Sequence, residues 1–242
     1  MLAIAALTAC QADIADIDGV FYDGDERLVH CAVNLDSTAN NSLESIDTGL
    51  DRARDRGEVV ELYAHHPGVT VPIDKIEHVL AGARDRGLGF VTYADFARGS
   101  YASPGLALSF DDTFVDAWLA LQPMFERYGA RVTFFVSRYA ALGDDQHAGL
   151  HELAAAGHDI EPHTVRHLRG PDYVERNGID AYLRDELDPS IAVLRDDGFE
   201  VSAFAYPFGA RTSELDHAIG KRVPVIRSVA FSYAFVPSPC PR

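Results

Sequence analysis

Positive charge is scarce in this sequence. Lys and Arg number 21 against 37 Asp and Glu, a formal net charge of −16. That balance argues against nucleic-acid binding, because a phosphate backbone selects basic surfaces. Neutral or cationic substrates suit such a chain better. Cysteine is also scarce: Cys10, Cys31 and Cys240 do not make a disulfide framework. No apolar run is long enough to span a bilayer. No internal repeat is apparent, and tryptophan occurs once, at position 118.

What is there is an ordinary globular composition, 47% hydrophobic and 24% charged. That apolar fraction excludes disorder as the main state. A chain of 242 residues should bury roughly 70–75% of its unfolded surface. One large domain or two small ones would both fit.

The ends carry a separate signal. Cys10 closes the apolar run Met1–Ala9, directly after Leu7-Thr8-Ala9. This resembles a bacterial lipobox, in which the cysteine is acylated and becomes the first residue of the mature protein. The basic stretch that opens a signal peptide is missing, which a start codon placed too late would explain. The alternative is a short apolar segment with a chance cysteine. On the lipobox reading, residues 1–10 form a signal segment outside the fold. The protein is then an exported periplasmic or cell-surface lipoprotein, attached to the membrane through Cys10. A Cys31–Cys240 disulfide becomes available in that oxidising compartment.

Short apolar runs alternate with amphipathic stretches along the rest of the chain. The pattern predicts strands at 28–34, 59–65, 89–93, 106–110, 132–136, 158–161, 203–206 and 225–231. It predicts helices at about 43–57, 73–86, 113–128, 148–156, 173–197 and 212–220. In the third helix Phe114, Trp118, Leu121 and Phe125 recur at helical spacing, a stripe that belongs against the sheet. Alternating strands and helices imply parallel βα units and a (β/α) barrel. The one linker-like stretch is Arg98-Gly-Ser-Tyr-Ala-Ser-Pro-Gly105.

Three segments carry chemistry. The first apolar strand after the linker ends in Phe110-Asp111-Asp112, where a βα barrel gathers its catalytic groups. Adjacent aspartates repel, so one is usually held ionised by a cation while its neighbour can accept a proton. Capping of the following helix is the bland alternative. The second segment is Gly157-His-Asp-Ile-Glu-Pro-His163-Thr-Val-Arg-His167. His163 and His167 are four apart, a spacing that one helical turn would align. Two histidines and an aspartate bind a metal while leaving positions open for water and substrate. The third is Ala203-Phe-Ala-Tyr-Pro207-Phe208-Gly209, which puts the Phe208 backbone N–H near the same rim. An ordinary Pro-Gly turn is its bland reading.

Together these segments resemble the polysaccharide deacetylase family (the NodB homology domain). Phe110–Asp112 matches the family's first motif and His163-Thr-Val-Arg-His167 its second. Pro207 and Phe208 match part of its third, but Ala205 stands where the family has an arginine. Glu58-Val-Val-Glu-Leu-Tyr-Ala-His65-His66-Pro-Gly is similar to the family's late strand, which ends in a catalytic histidine. Asn34-Leu-Asp36-Ser37 is a weaker echo of the fourth motif, without its tryptophan. The resemblance covers nearly the whole chain in rotated order. It implies a distorted (β/α) barrel of seven or eight parallel strands, circularly permuted, forming one domain over 11–242. Residues 11–98 would be equivalent to the usual C-terminal part and 105–242 to the usual N-terminal part. A gene-model fusion of two partial domains is the rival. Each half alone would leave an open sheet edge, which favours permutation.

The resemblance further implies a metal-dependent hydrolase that removes N-acetyl groups from a polysaccharide or oligosaccharide. Asp112, His163 and His167 would hold a divalent metal, most simply zinc. Asp111 would be the base, His65 rather than His66 the acid, Asp36 its partner, and the Phe208 N–H an oxyanion donor. Arg227, on the last strand, is a candidate for replacing the absent third-motif arginine. His158 is read as structural, and His30, His78, His147, His151 and His217 as surface or satisfied core. The alternatives are a catalytically impaired glycan-binding module at the cell surface, or a hydrolase of a small non-glycan amide.

Overall fold

The computed structural model describes residues 13–230. Among the described residues nine strands run β1 Phe21–Tyr22, β2 Val29–Asn34, β3 Val59–Ala64, β4 Gly89–Phe90, β5 Gly105–Asp112, β6 Thr133–Val136, β7 Asp159–Pro162, β8 Ala203–Ala205 and β9 Val225–Val229. Seven of them form one parallel path in the order β7-β6-β5-β3-β2-β9-β8. β4 is an eighth parallel strand, on β5, and the short β1 pairs antiparallel with β3. The result is a nearly closed (β/α) barrel. At its seam, β7 and β8 meet through side chains rather than a ladder. The Ser202 N–H donates to Glu161 Oε1 at 3.0 Å and its hydroxyl to the same oxygen at 2.8 Å.

The ladder joins distant parts of the chain. β2 pairs with β9, and β3 pairs with β5 across the 98–105 stretch. The strands read as continuous apolar runs because helices cover the outside while the barrel interior covers the other face. Trp118, Leu121 and Phe125 are buried and Phe114 packs partly buried against the same core, as their helical spacing implies. Among the described residues no helix is long and apolar enough to cross a membrane.

Several elements differ from the sequence pattern. The strand expected at 89–93 stops at Phe90, because Thr92 caps a helix, Tyr93–Arg98, in a reciprocal capping box with Asp95. The single helix expected at 113–128 is two, Val115–Ala120 and Gln122–Tyr128, and Pro123 opens the second. The long helix expected at 173–197 is cut at Gly178, whose φ of 86° leaves the helical region, and passes through a π-turn before Asp188–Asp196. β1 has no counterpart in the predicted pattern; two residues carry no periodicity. Cys31 is disulfide-bonded. Cys10, Cys240 and the run Met1–Ala9 lie outside the described residues, as does the end of the strand expected at 225–231.

Candidate active site

Register brings the chemistry to one rim. Ala64 pairs with Phe110, so His65 leaves β3 level with Asp111. Asp111 and Asp112 end β5 opposite Phe135 and Val136 of β6, and Val136 pairs with Pro162, the residue before His163. All of these residues lie at strand C-termini, where a parallel barrel opens its loops.

Asp112, His163 and His167 converge, with one donor atom from each lying within 4.8 Å of the other two. His167 Nε2 is 3.2 Å from Asp112 Oδ1. The convergence does not use a helical turn, as the i,i+4 spacing suggested. Residues 163–167 are irregular, and Thr164 and His167 take left-handed φ of 73° and 59°. The Thr164 hydroxyl accepts the His167 N–H at 3.0 Å and pins that turn. Asp111 and Asp112 do not cap the following helix either; Phe114 holds that position.

The donor set fits a divalent cation. His163 Nδ1 donates to the Ala205 carbonyl at 2.8 Å, which turns Nε2 and its lone pair toward the cluster. Burial pushes the His163 imidazole down to about 3, and burial also lowers His167. Both shifts favour the neutral imidazole that a metal site requires. Burial raises the Asp112 carboxyl above its ordinary value.

Asp111 is buried beside this cluster. Its Oδ2 accepts from the Arg227 guanidinium, while its Oδ1 has no hydrogen-bond partner. Burial would raise its carboxyl, but Arg227, with His163 and His65, holds it below the usual carboxylate range. Arg227 is fully buried between the rings of Tyr63 and Phe135, 4.8 and 5.1 Å from their centroids. Its ladder partner is Ala205. The small side chain at 205 thus stands beside the arginine that takes the space, one strand over.

His65 is oriented by Asp36. Its Nδ1 bonds Asp36 Oδ2, its backbone N–H donates to Asp36 Oδ1 at 3.2 Å, and Thr70 donates to Oδ1 at 2.8 Å. Burial would lower His65, but the bond to Asp36 and the charges of Asp111 and Asp112 raise it. His66 faces away and stacks on Phe114 at 4.1 Å. The fully buried Trp118 indole donates to the His65 carbonyl at 3.4 Å. No local sequence pattern signals that contact, since 53 residues separate the pair. Phe208 sits in a tight turn at φ 60°, half-exposed, with its ring 4.7 Å from that of His167.

Five other histidines have separate partners. His30 lies 2.9 Å from Glu61, His78 3.1 Å from Asp47, His147 3.1 Å from the Tyr139 carbonyl and His151 3.0 Å from Asp197. His158 accepts from the Val132 N–H, and burial pushes it down to about 4.

With this geometry in place, residues 99–222, just over half the chain, match the family model for polysaccharide deacetylase. This chain belongs to the polysaccharide deacetylase family. No curated protein matches it. Among solved structures it is similar to the Streptococcus pyogenes deacetylase PplD in complex with acetate, at 16% identity and a TM-score of 0.55, over 74% of this chain and 93% of that one. It is also similar to IcaB from Ammonifex degensii, at 16% identity and a TM-score of 0.51, over 85% of this chain and 91% of that one. At such identities the likeness is one of fold, and the fold is that of a deacetylase barrel.

Proposed function

We propose that this member of the family removes N-acetyl groups from a polysaccharide or oligosaccharide with the aid of a divalent metal. The observation that carries the reading is the convergence of Asp112, His163 and His167 beside a buried, arginine-held Asp111 and an aspartate-held His65.

Asp112, His163 and His167 would hold the cation, for which two imidazoles and a carboxylate suit zinc. When bound, such an ion polarises an acetamide carbonyl and makes water a better nucleophile. Asp111, ionised by Arg227, takes the proton of the attacking water at its free Oδ1. The Phe208 N–H donates to the oxyanion as it develops. His65, kept protonated by Asp36, hands its proton to the departing amine. Arg227 stands in for the third-motif arginine by orienting Asp111 from β9.

We read the domain as circularly permuted, with residues 11–98 in the place of the family's usual C-terminal part and 105–242 in that of its N-terminal part. Pairing of β2 with β9 and of β3 with β5 supports this, because neither half closes a barrel alone. Export as a lipoprotein rests on Cys10; the disulfide at Cys31 suits an oxidising compartment.

The test is acetate release from chitooligosaccharides by the metal-loaded protein. The reading expects release that a chelator abolishes and that Asp111→Asn removes. Metal binding without acetate release, on any N-acetylated glycan, would favour a glycan-binding module instead.

A further inference from the structure

Among the described residues, Arg138 on the catalytic rim makes no ion pair. Arg138 follows β6 by one residue beyond Ser137, whose N–H donates to the Asp112 carbonyl at 3.0 Å. The Arg138 N–H donates to the Thr164 carbonyl at 3.1 Å, and its own carbonyl accepts from Ala141 at 2.8 Å. These bonds hold it at φ 52°, a left-handed conformation that a residue with a long side chain seldom adopts. Backbone strain of this kind points from geometry toward use.

The side chain is exposed and, among the described residues, its guanidinium has neither an ion pair nor a hydrogen bond. The same holds for Arg56, but Arg56 ends the helix Leu43–Arg56, whose dipole accounts for a cation there. Arg138 does not end a helix. Its charge acts on Asp112 and His167 without touching either.

Arg138 lines a cavity of about 570 Å³ with Tyr139, Thr164, Val165, Pro189 and Val193. The volume is that of a small-ligand site, roughly 300–1,000 Å³. Thr164 follows His163 directly, so the cavity shares a wall with the loop that carries both histidines. The other arginine in its wall, Arg166, is engaged: it pairs with the buried Glu186 and lies over the Tyr173 ring. Arg138 is the cavity's unengaged cation.

We propose that this cavity binds a carboxylate-bearing sugar residue of the glycan, beside the residue that loses its acetyl group, with Arg138 holding the carboxylate. The proposal rests on the deacetylase reading and names the substrate class for it. A guanidinium fork matches a carboxylate with two parallel bonds. Val165, Pro189 and Val193 supply an apolar wall for the C–H face of a sugar ring or a short aliphatic stem. Two glycan chemistries present such a group, a uronate and an ether-linked lactate. In a chain of net charge −16, an unpaired arginine at this rim is a local exception to the preference for neutral or cationic ligands.

Calorimetric titration of the metal-loaded full chain tests it, with three tetrasaccharides as probes. These are chitotetraose, a hyaluronan tetramer bearing uronates, and a peptide-free N-acetylglucosamine–N-acetylmuramic acid tetramer bearing lactates. At least one carboxylated tetramer should bind about tenfold or more tightly than chitotetraose, as a hydrogen-bonded charge pair implies. Arg138→Gln should abolish that difference, and Arg138→Lys should keep part of it. The tetramer that is preferred identifies the source of the carboxylate. Equal binding of all three, or a preference that Arg138→Gln retains, overturns the proposal. Acetate assayed in the same samples separates the two readings. An Arg138-dependent preference without acetate release keeps the binding site and removes the deacetylase reading; acetate release without preference does the reverse.

Discussion

Arg227 and Asp111 lie 116 residues apart in the chain and meet in the barrel interior, the guanidinium donating to Asp111 Oδ2. Both are buried, and Arg227 Nε and Nη1 find no other partner. The pair is specific in what it leaves free: Asp111 Oδ1 faces no donor, so one oxygen is fixed and the other is available to take a proton.

Breaking that pair from one side strands a buried charge. Arg227→Ala should lower the unfolding free energy by about 3–5 kcal/mol and abolish acetate release. Adding Asp111→Asn should recover much of the stability and none of the activity. Urea denaturation and acetate assay of the two variants check this, and an Arg227→Ala enzyme of unchanged activity would remove Arg227 from the account.

The Asp36–His65 pair sets a pH limb. His65 is raised above its ordinary value; burial would raise Asp36, but the bonds from His65 and Thr70 and the charge of His65 together lower it. As an acid, His65 works only while protonated, so activity should fall as pH rises through its raised pKa. Asp36→Asn should move that alkaline limb to lower pH. The stability linked to His65 has the same sign, present at low pH and lost as pH climbs through the folded-state value. A kcat–pH profile of wild type and Asp36→Asn measures the shift; an unmoved limb would contradict the pairing.

Metal retention should depend on all three donors. Asp112→Ala, His163→Ala and His167→Ala should each lose the bound ion on dialysis while keeping the wild-type circular dichroism spectrum. Elemental analysis of the dialysed proteins decides it. Retention of a full equivalent by any of them would exclude that residue as a ligand. Acidification should also release the ion, since protons compete for the same atoms.

The turn that carries Phe208 depends on Gly209. At φ 60°, a Cβ there would lie 2.2 Å from Val229 Cγ2 and 3.0 Å from Val229 Cβ. Gly209→Ala should destabilise the protein by roughly 1–3 kcal/mol through overpacking and backbone strain. A thermal melt reads the loss, and an unchanged melting temperature would mean the turn relaxes freely.

Seven of the eight expected strands are present to within two residues at each described end, because buried parallel strands announce themselves as apolar runs. The convergence of Asp112, His163 and His167 was legible in part, since Asp112 and His163 lie at the ends of such runs and His167 follows four residues on. Arg227 was legible only as a polar residue on an apolar strand. Its contact with Asp111 depends on the ladder that puts it opposite Ala205. The bond from Trp118 to the His65 carbonyl and the left-handed turn at Arg138 had no sequence signal, because long-range packing creates both. The i,i+4 histidine spacing anticipated that the two rings come together, but two left-handed residues, not a helix, bring them there.

On the proposed reading, His65, from the first half of the chain, and the Asp111–Asp112 strand end, from the second, act in one active site. Acetate release by His65→Ala, measured beside its metal content, tests this most directly. The variant should retain one equivalent of metal and lose about a hundredfold or more in kcat, as removal of a general acid implies. A metal-loaded His65→Ala protein that releases acetate at the wild-type rate would contradict the composite site.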